Sequence, residues 1–153
     1  MNTKFSLKSL LSLVALAAAV LFAGSAVAAT VPVYGSVSDI TENTVILTGD
    51  ATVTSSKGVG GNVAYKIHFN QVAGRSVMSN VALQAVSDQT VVKTLAGSTT
   101  LSVPVTIFPV GSDITDPQAF TVMATLNLTV DTATAAVKGG MSQFTIVLQE
   151  PAP

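Results

Sequence analysis

The sequence predicts an all-β protein, and three observations carry the prediction. Apolar side chains occupy every second position from Phe120 to Val130, with Thr or Asn at most of the positions between them. Segments rich in Val, Thr and Ile recur at intervals of roughly ten residues and are separated by Gly, Asn, Asp and Ser, the spacing of a sandwich or barrel. No segment after residue 28 shows a helical period. We therefore expect an immunoglobulin-like antiparallel β-sandwich of seven or eight strands.

Residues 120–130 form the most regular segment and should be a central strand. Only Met123 interrupts the polar side of the alternation. At about 3.3 Å per residue the segment spans roughly 36 Å, enough to cross a whole sheet. The other strands are expected to pair with it and to pack over its apolar face.

The first 28 residues have the order of a secretory signal peptide. Lys4 and Lys8 precede an apolar run from residue 10 to residue 22, and small residues follow, with a cleavage site at Ala26-Val27-Ala28. The apolar run is too short for a membrane span, and no second long one follows. We expect one domain over residues 29–153, not inserted in a membrane after cleavage. Its location should be secreted or at the cell surface, with the periplasm as the alternative.

Composition excludes several classes of partner. The chain has 7 basic and 8 acidic residues, and none of the basic residues is clustered after the leader. A nucleic-acid footprint is therefore absent, and an anionic membrane surface is an equally poor partner. The chain has no cysteine, so its stability must come from burial and backbone pairing without disulfides.

The remaining strands are placed between turn residues. Pro32 has no N–H to donate, so the first strand should be an edge strand or begin there, and Pro104 indicates an edge in the same way. Gly49-Asp50 predicts a bulge or bend. The expected strands are 30–38, 44–55, 62–72, 77–86, 90–95, 99–108, 120–130 and 141–149.

Connections and core follow from the same pattern. Three glycines make Lys57–Asn62 a hairpin loop, Ala73–Ser76 should be a turn, and Gly139-Gly140 a flexible link. Residues 109–119 contain too many breakers for a strand, and such a long loop is a common place for function. The predicted core includes Val63, Ile67, Phe69, Leu83, Val103, Ile107, Phe120, Val122, Leu126, Leu128, Phe144 and Ile146.

The usual catalytic groups are missing from the mature chain. His68 is the only histidine, and its place on the polar side of a predicted strand favours a solvent-facing role. One histidine and no cysteine are too few for a zinc site. Asp113 and Asp116 are the carboxylates to weigh for a calcium site, and the alternative is that they stabilise turns. We expect no enzyme activity and no cofactor.

Sugar binding has little support in the sequence. Sandwich domains that bind carbohydrate generally stack the sugar on exposed aromatic rings, but this chain has no Trp and two Tyr. Tyr65 belongs to the inward side of its strand, which leaves Tyr34 as a single candidate ring. Asn127-Leu-Thr129 matches a glycosylation triplet, but it lies in the middle of the predicted central strand, so we take the match as chance.

Two roles remain, and the structural one is preferred. Low charge, Thr-rich faces and few lysines on strand edges are typical of subunits that associate. We therefore expect a secreted structural subunit of a filament, pilus-like fibre or matrix, with copies of itself as partners. Length, leader and strand pattern are similar in general architecture to the β-sandwich subunits of bacterial surface fibres. Disulfide cysteines and the aromatic residue near the carboxyl end that many such subunits carry are absent.

The first strand is the candidate for assembly. Val31, Val33 and Val37 lie on one side of it, so residues 29–38 could be donated to the next subunit with residues 39–43 as a hinge. The preferred alternative is that this segment is the first strand of its own domain. A secreted or periplasmic binding or adhesion module that acts through its loops is the alternative function.

Overall fold

The computed structural model describes residues 26–38 and 43–145. Within these residues no helix is both long and apolar enough to cross a membrane. A short 3₁₀ turn at Val59–Gly61 is the one helical element in the described part. The strands are β1 Val27–Ser38, β2 Thr44–Lys57, β3 Asn62–Ser76, β4 Ala82–Val86, β5 Asp88–Thr94, β6 Ser98–Pro109, β7 Phe120–Val130 and β8 Val137–Thr145.

The all-β class is confirmed, but the strands form one closed sheet and not two separate ones. Their order is β2-β1-β8-β7-β6-β4-β3-β5, and an additional pairing of β2 with β3 closes seven of them into a barrel. A ring of seven strands cannot be antiparallel at every contact, because alternation of direction requires an even number. The parallel contact falls between β1 and β8. The expectation of an all-antiparallel immunoglobulin-like sandwich is therefore corrected to a mixed barrel.

The central position of β7 is confirmed. It pairs antiparallel with β6 on one side and with β8 on the other. Val122, Ala124, Leu126, Leu128 and Val130 are all buried, as the alternation predicts. The polar residues between them face outward, so β7 supplies one wall of the core over most of its length.

A bulge opposite Gly49 organises β2 and β3. The register places Thr48 opposite Ala73 and Asp50 opposite Asn70, so Gly49 alone opposes both Gln71 and Val72. Gln71 adopts a positive φ of 50°, and a side chain on Gly49 would lie 2.6 Å from the Val72 Cα. The sequence predicts a bulge or bend at Gly49-Asp50, and the irregularity lies at this point of the ladder, but the extra residue belongs to β3.

The same bulge explains why β3 is longer than expected. The extra residue resets the alternation, so burial continues with Val72 and Ser76 after Phe69. The predicted turn at Ala73–Ser76 is therefore wrong, and the turn begins only at Val77. Gly74 is required there because a Cβ would lie 1.8 Å from the Ile46 carbonyl oxygen.

One flank of the barrel is open. The first half of β3 pairs with β5, whereas its second half pairs with β4. β4 then pairs with β6 only at residues 106–109 of β6. Within the described residues no ladder joins β5 to the first half of β6, so both strands have a free edge there.

The amino-terminal strand is part of the barrel. β1 pairs with β2 along its whole length, starting at Val27, and with β8 only through Val33 and Ser142. The strand thus begins inside the predicted cleavage site, while residues 1–25 lie outside the described range. The prediction that Pro32 lies on an edge strand or at a strand start is wrong, because β1 begins at Val27 and lies between β2 and β8 in the barrel.

The predicted core is largely confirmed. Phe120 and Phe144 are half-buried against it, and Ile146 lies outside the described residues. The Phe144 ring meets Phe69 edge to face at 6.3 Å, and it covers Gly35, where a Cβ would lie 2.6 Å from the ring. The predicted core residues that are buried are Val63, Ile67, Phe69, Leu83, Val103, Ile107, Val122, Leu126 and Leu128.

Truncation of Leu126 tests the barrel interior. Leu126 is fully buried in β7, so Leu126→Ala should lower the free energy of unfolding by about 2–5 kcal/mol through lost burial and a residual cavity. Urea unfolding followed by circular dichroism measures it. The exposed Ser102→Ala on β6 is the control and should change the value by about 0.5 kcal/mol or less. Equal losses in the two variants would contradict the burial of Leu126.

Candidate functional site

Asp113 and Asp116 stabilise the loop between β6 and β7. Asp113 Oδ1 accepts hydrogen bonds from the Thr115 amide at 2.8 Å and from its hydroxyl, and these bonds lower the pKa of Asp113. Asp116 Oδ1 accepts a bond from the Gln118 amide at 2.8 Å. Both carboxylates therefore make the turn contacts that the sequence allowed as the alternative to a calcium site. The described residues contain no group of three or more His, Cys, Asp or Glu side chains that could hold a metal.

His68 lies on the outer surface of β3. It is exposed, and its register partner on β5 is Asp88. It lines a cleft of about 370 Å³ at the point where β4 leaves β6, together with Ser87, Pro104 and Ile114. Ile114 comes from the long loop, so this loop borders the open flank. No second base or nucleophile with a hydrogen bond to His68 completes a catalytic set in the described part of the chain.

Exposed apolar residues collect at the end of the barrel where β3 turns into β4. Val77, Met78 and Val81 belong to this turn, and Met78 is 81% exposed. Val110 begins the loop after β6 and lies beside the turn, because its amide donates to the Ala82 carbonyl at 3.0 Å. We call these four residues the apolar tip.

The outer surface of β6, β7 and β8 is rich in hydroxyl groups and has no charge on its cross-strand rows. The register aligns Thr100 with Asn127 and Met141, and it aligns Ser102 with Thr125 and Gln143. We call this surface the hydroxyl face. Its members are Ser98, Thr100, Ser102, Pro104, Thr106, Thr121, Met123, Thr125, Asn127, Thr129, Gly139, Met141 and Gln143.

A cleft of about 510 Å³ lies at one end of the hydroxyl face. Asn127, Thr129, Gly139, Met141 and Gln143 line it, and it lies beside an irregularity in the β7–β8 register. Thr129 opposes Gly139 and Val130 opposes Val137, so Lys138 is the extra residue of a bulge. We call this cavity the β7–β8 cleft.

Lys138 also lines the β7–β8 cleft, but its charge is balanced. Its ammonium lies 2.9 Å from Asp131 Oδ2 in the turn before β8. This bond, with those from the amides of Ala133 and Thr134, lowers the pKa of Asp131 to about 2. The pair therefore adds little net charge to the cleft at neutral pH.

The tyrosines lie where the sequence predicts. Tyr34 is 66% exposed on the outside of β1, and Tyr65 is fully buried. The Tyr65 hydroxyl has no hydrogen-bond partner among the described residues, and burial raises its pKa. Tyr34 follows Val33, whose partner Ser142 lies between Met141 and Gln143, so its ring stands on the strand next to the cleft.

The candidate assembly residues point inward. Val31, Val33 and Val37 are all buried in the barrel core of their own chain. The sequence predicts a flexible link at Gly139-Gly140, whereas both residues lie within β8. Two consecutive glycines could have indicated a functional surface here, because glycine within a strand often marks a place where another group approaches closely.

Comparison with known proteins adds no family to this description. No family model, no curated protein and no solved structure matches this chain.

The Asp131–Lys138 pair predicts a pH dependence of stability. The pKa of Asp131 is depressed in the folded state, so the pair stabilises the fold above the unfolded value of about 4 and loses this effect as the pH falls through about 2. Asp131→Asn should therefore lower the melting temperature at neutral pH, and the two proteins should converge near pH 2. Asp88→Asn, in an exposed pair with Lys66 at 3.8 Å, is the control with a small effect. An offset that is the same at every pH would contradict the assignment.

Proposed function

We propose that this protein is a secreted structural subunit that assembles with copies of itself into a filament, pilus-like fibre or matrix. The observation that carries the proposal is the free, uncharged edge of β6. Free strand edges recruit other strands, and most monomers protect them with charges, prolines, bulges or a covering element. Residues 98–103 of β6 contain no charged residue, no proline and no register shift, and they have no second ladder partner among the described residues.

The direction of the free backbone groups of β6 follows from one hydrogen bond. Ser87 Oγ donates to the Pro104 carbonyl oxygen at 2.8 Å, and Ser87 lies on the side away from β7. In a strand the N–H and C=O of one residue point to the same side, and this side alternates along the chain. The backbone groups of Ser98, Thr100 and Ser102 therefore point toward the open flank. Pro104 points toward the open flank as well, so its missing N–H removes no hydrogen bond from the ladder between β6 and β7.

Strand addition at β6 requires no rearrangement of the subunit. Donation of residues 29–38, the mechanism considered from the sequence, requires β1 to leave its full-length ladder with β2. Addition of a strand from another copy uses groups that are already free, and a head-to-tail contact of this kind builds an open chain. We therefore favour edge addition, and removal of residues 29–38 tests donation.

The proposal includes no enzyme activity. His68 lies on β3, whereas Asp113 and Asp116 lie on the loop between β6 and β7 and are engaged in turn hydrogen bonds. The strand surfaces offer backbone groups and hydroxyls, which suit association better than acid–base chemistry.

A proline at position 102 tests the free edge of β6. Ser102→Pro removes an N–H that points to the open flank, so the fold should persist while assembly is lost. The matched control Val103→Pro removes an N–H that points toward β7 and should destabilise the barrel. Electron microscopy and size exclusion of the purified mature protein measure assembly, and urea unfolding measures the fold.

Filaments from wild type and none from a folded Ser102→Pro would support assembly through β6. Filaments from both proteins would reject this edge but keep the structural role. Wild type that remains a monomer at high concentration would reject the structural role itself.

The apolar tip favours a second candidate function, a secreted or periplasmic binding or adhesion module. Four exposed apolar residues on two neighbouring loops form an apolar surface patch, and such patches often mark interaction sites. The contact with a partner would then lie on loops, as in many binding domains.

Met78→Lys distinguishes the two candidates. If the protein is a binding module, the wild type should be a monomer that binds to cells of the organism that produces it. Met78→Lys should abolish this binding, because the added charge prevents burial of the apolar tip. Thr90→Lys on the exposed strand β5 is the control. A structural subunit predicts that Met78→Lys still forms filaments.

A further inference from the structure

We propose that the β7–β8 cleft binds a neutral polysaccharide, with one sugar unit held by Asn127, Gln143 and Met141 at the place that Gly139 keeps open. The inference goes beyond the structural role and does not depend on it, because the cleft lies on the outer surface of a single subunit.

No contact among the described residues requires glycine at position 139. A Cβ built on it meets no atom within 4 Å, and its backbone is not in the left-handed region. Gly140 differs, because its Cβ would lie 2.7 Å from the Asn127 carbonyl oxygen. Glycine in a strand costs stability, and it often marks a bulge or a site where a ligand or another backbone approaches closely. Gly139 adjoins the bulge at Lys138, but its φ is not positive, so the bulge itself does not require glycine there. A larger side chain at position 139 would project into the β7–β8 cleft.

The groups around the cleft select a ligand without charge. Lys138 is neutralised by Asp131, and no other charged residue lines the cleft. The rows of the hydroxyl face that continue from it are also uncharged. An anionic ligand would find no free cation there, and a cationic ligand would find no free carboxylate.

Donors and acceptors for hydroxyl groups are present and oriented. Thr100 Oγ1 donates to Asn127 Oδ1 at 2.8 Å, which turns the Asn127 amide nitrogen, with its two donors, away from Thr100. Thr129 and Gln143 add a hydroxyl and an amide on the neighbouring rows. A sugar ring presents hydroxyls that both donate and accept, so it matches this set.

Apolar contacts complete the match. Met141 is 64% exposed at the wall of the cleft, and Tyr34 stands on β1, one strand beyond β8. Neighbouring strands lie about 4.8 Å apart, so a chain that crosses them could meet the cleft and then the Tyr34 ring. Sugar rings have an apolar C–H face that packs on such groups. The absence of Trp disfavours only those modes of sugar binding that stack the sugar on aromatic rings. It does not exclude binding through hydrogen bonds and a methionine side chain.

Affinity electrophoresis of the mature protein tests the inference. The gels contain dextran, mannan or hydroxyethylcellulose as neutral probes, and polygalacturonate as the acidic probe. We expect retardation by at least one neutral probe and none by polygalacturonate. Gly139→Val, which places a branched side chain in the cleft, and Asn127→Ala, which removes the amide, should each weaken the binding at least tenfold.

Two controls separate binding from folding. Thr90→Val adds the same side chain on the exposed strand β5 and should bind as wild type does. Urea unfolding should show Gly139→Val to be at least as stable as wild type, because the Cβ meets no neighbour and valine favours a strand more than glycine does. No retardation by any neutral probe, a preference for polygalacturonate, or equal binding by a folded Gly139→Val would overturn the proposal.

Discussion

The ladder between β2 and β3, with its bulge at Gly49, is the contact on which the rest of the structure depends. It closes the barrel, and it extends over nearly the whole length of both strands. The bulge shifts the register of β3 by one residue, and the opposite edge of β3 changes partner at the same point, from β5 to β4. On this edge of β3, residues before the bulge therefore pair with β5, which lies outside the barrel, and residues after it pair with β4, which belongs to the barrel.

Two weak places follow from this closure. Seven strands require a parallel contact, and the parallel ladder between β1 and β8 is limited to the pair of Val33 and Ser142. The departure of β5 leaves half of β6 without a second neighbour. The chain has no disulfide to compensate, so the fully buried side chains of β1, β2, β3, β6 and β7 must hold the barrel together. Backbone groups remain free on the open flank, where an added strand would meet the least resistance.

Local pattern predicted the strands well and their arrangement poorly. The alternation of apolar and polar residues in β7 and β1 was sufficient to predict that Leu126 and Val33 are buried, because the period of two is uninterrupted in each strand. The extension of β3 through Gly74 was missed, since the bulge at Gln71 reverses the alternation and the residues that follow resemble a turn. Closure of the ring depends on pairings between distant residues, and no local pattern contains them.

The candidate sites show the same limit. Asp113 and Asp116 were recognisable from their residue types, and their turn role was already an expected alternative. The β7–β8 cleft could not be predicted, because it is formed by a missing side chain at Gly139 and by residues from two strands. Its polar groups are ordinary strand residues until the register places Asn127 beside Met141 and Gln143. Sequence reasoning identifies groups with chemistry of their own more readily than surfaces that arise from pairing.

The distribution of charge connects the two proposals. Strands β1, β4, β6 and β7 contain no charged residue, and the one charge on β8, Lys138, is paired with Asp131. Strands β2, β3 and β5 contain Asp50, Lys57, Lys66, Arg75, Asp88 and Lys93. Charges oppose close approach of identical surfaces, and they carry a large cost when they are buried without a partner. Hydroxyl and amide groups can exchange water for another neutral polar surface at little net cost. The uncharged side of the barrel is therefore the side that can be covered, by a strand of another subunit at β6 and by a polysaccharide at the β7–β8 cleft. In the proposed assembly the charged side of the barrel would stay in contact with water.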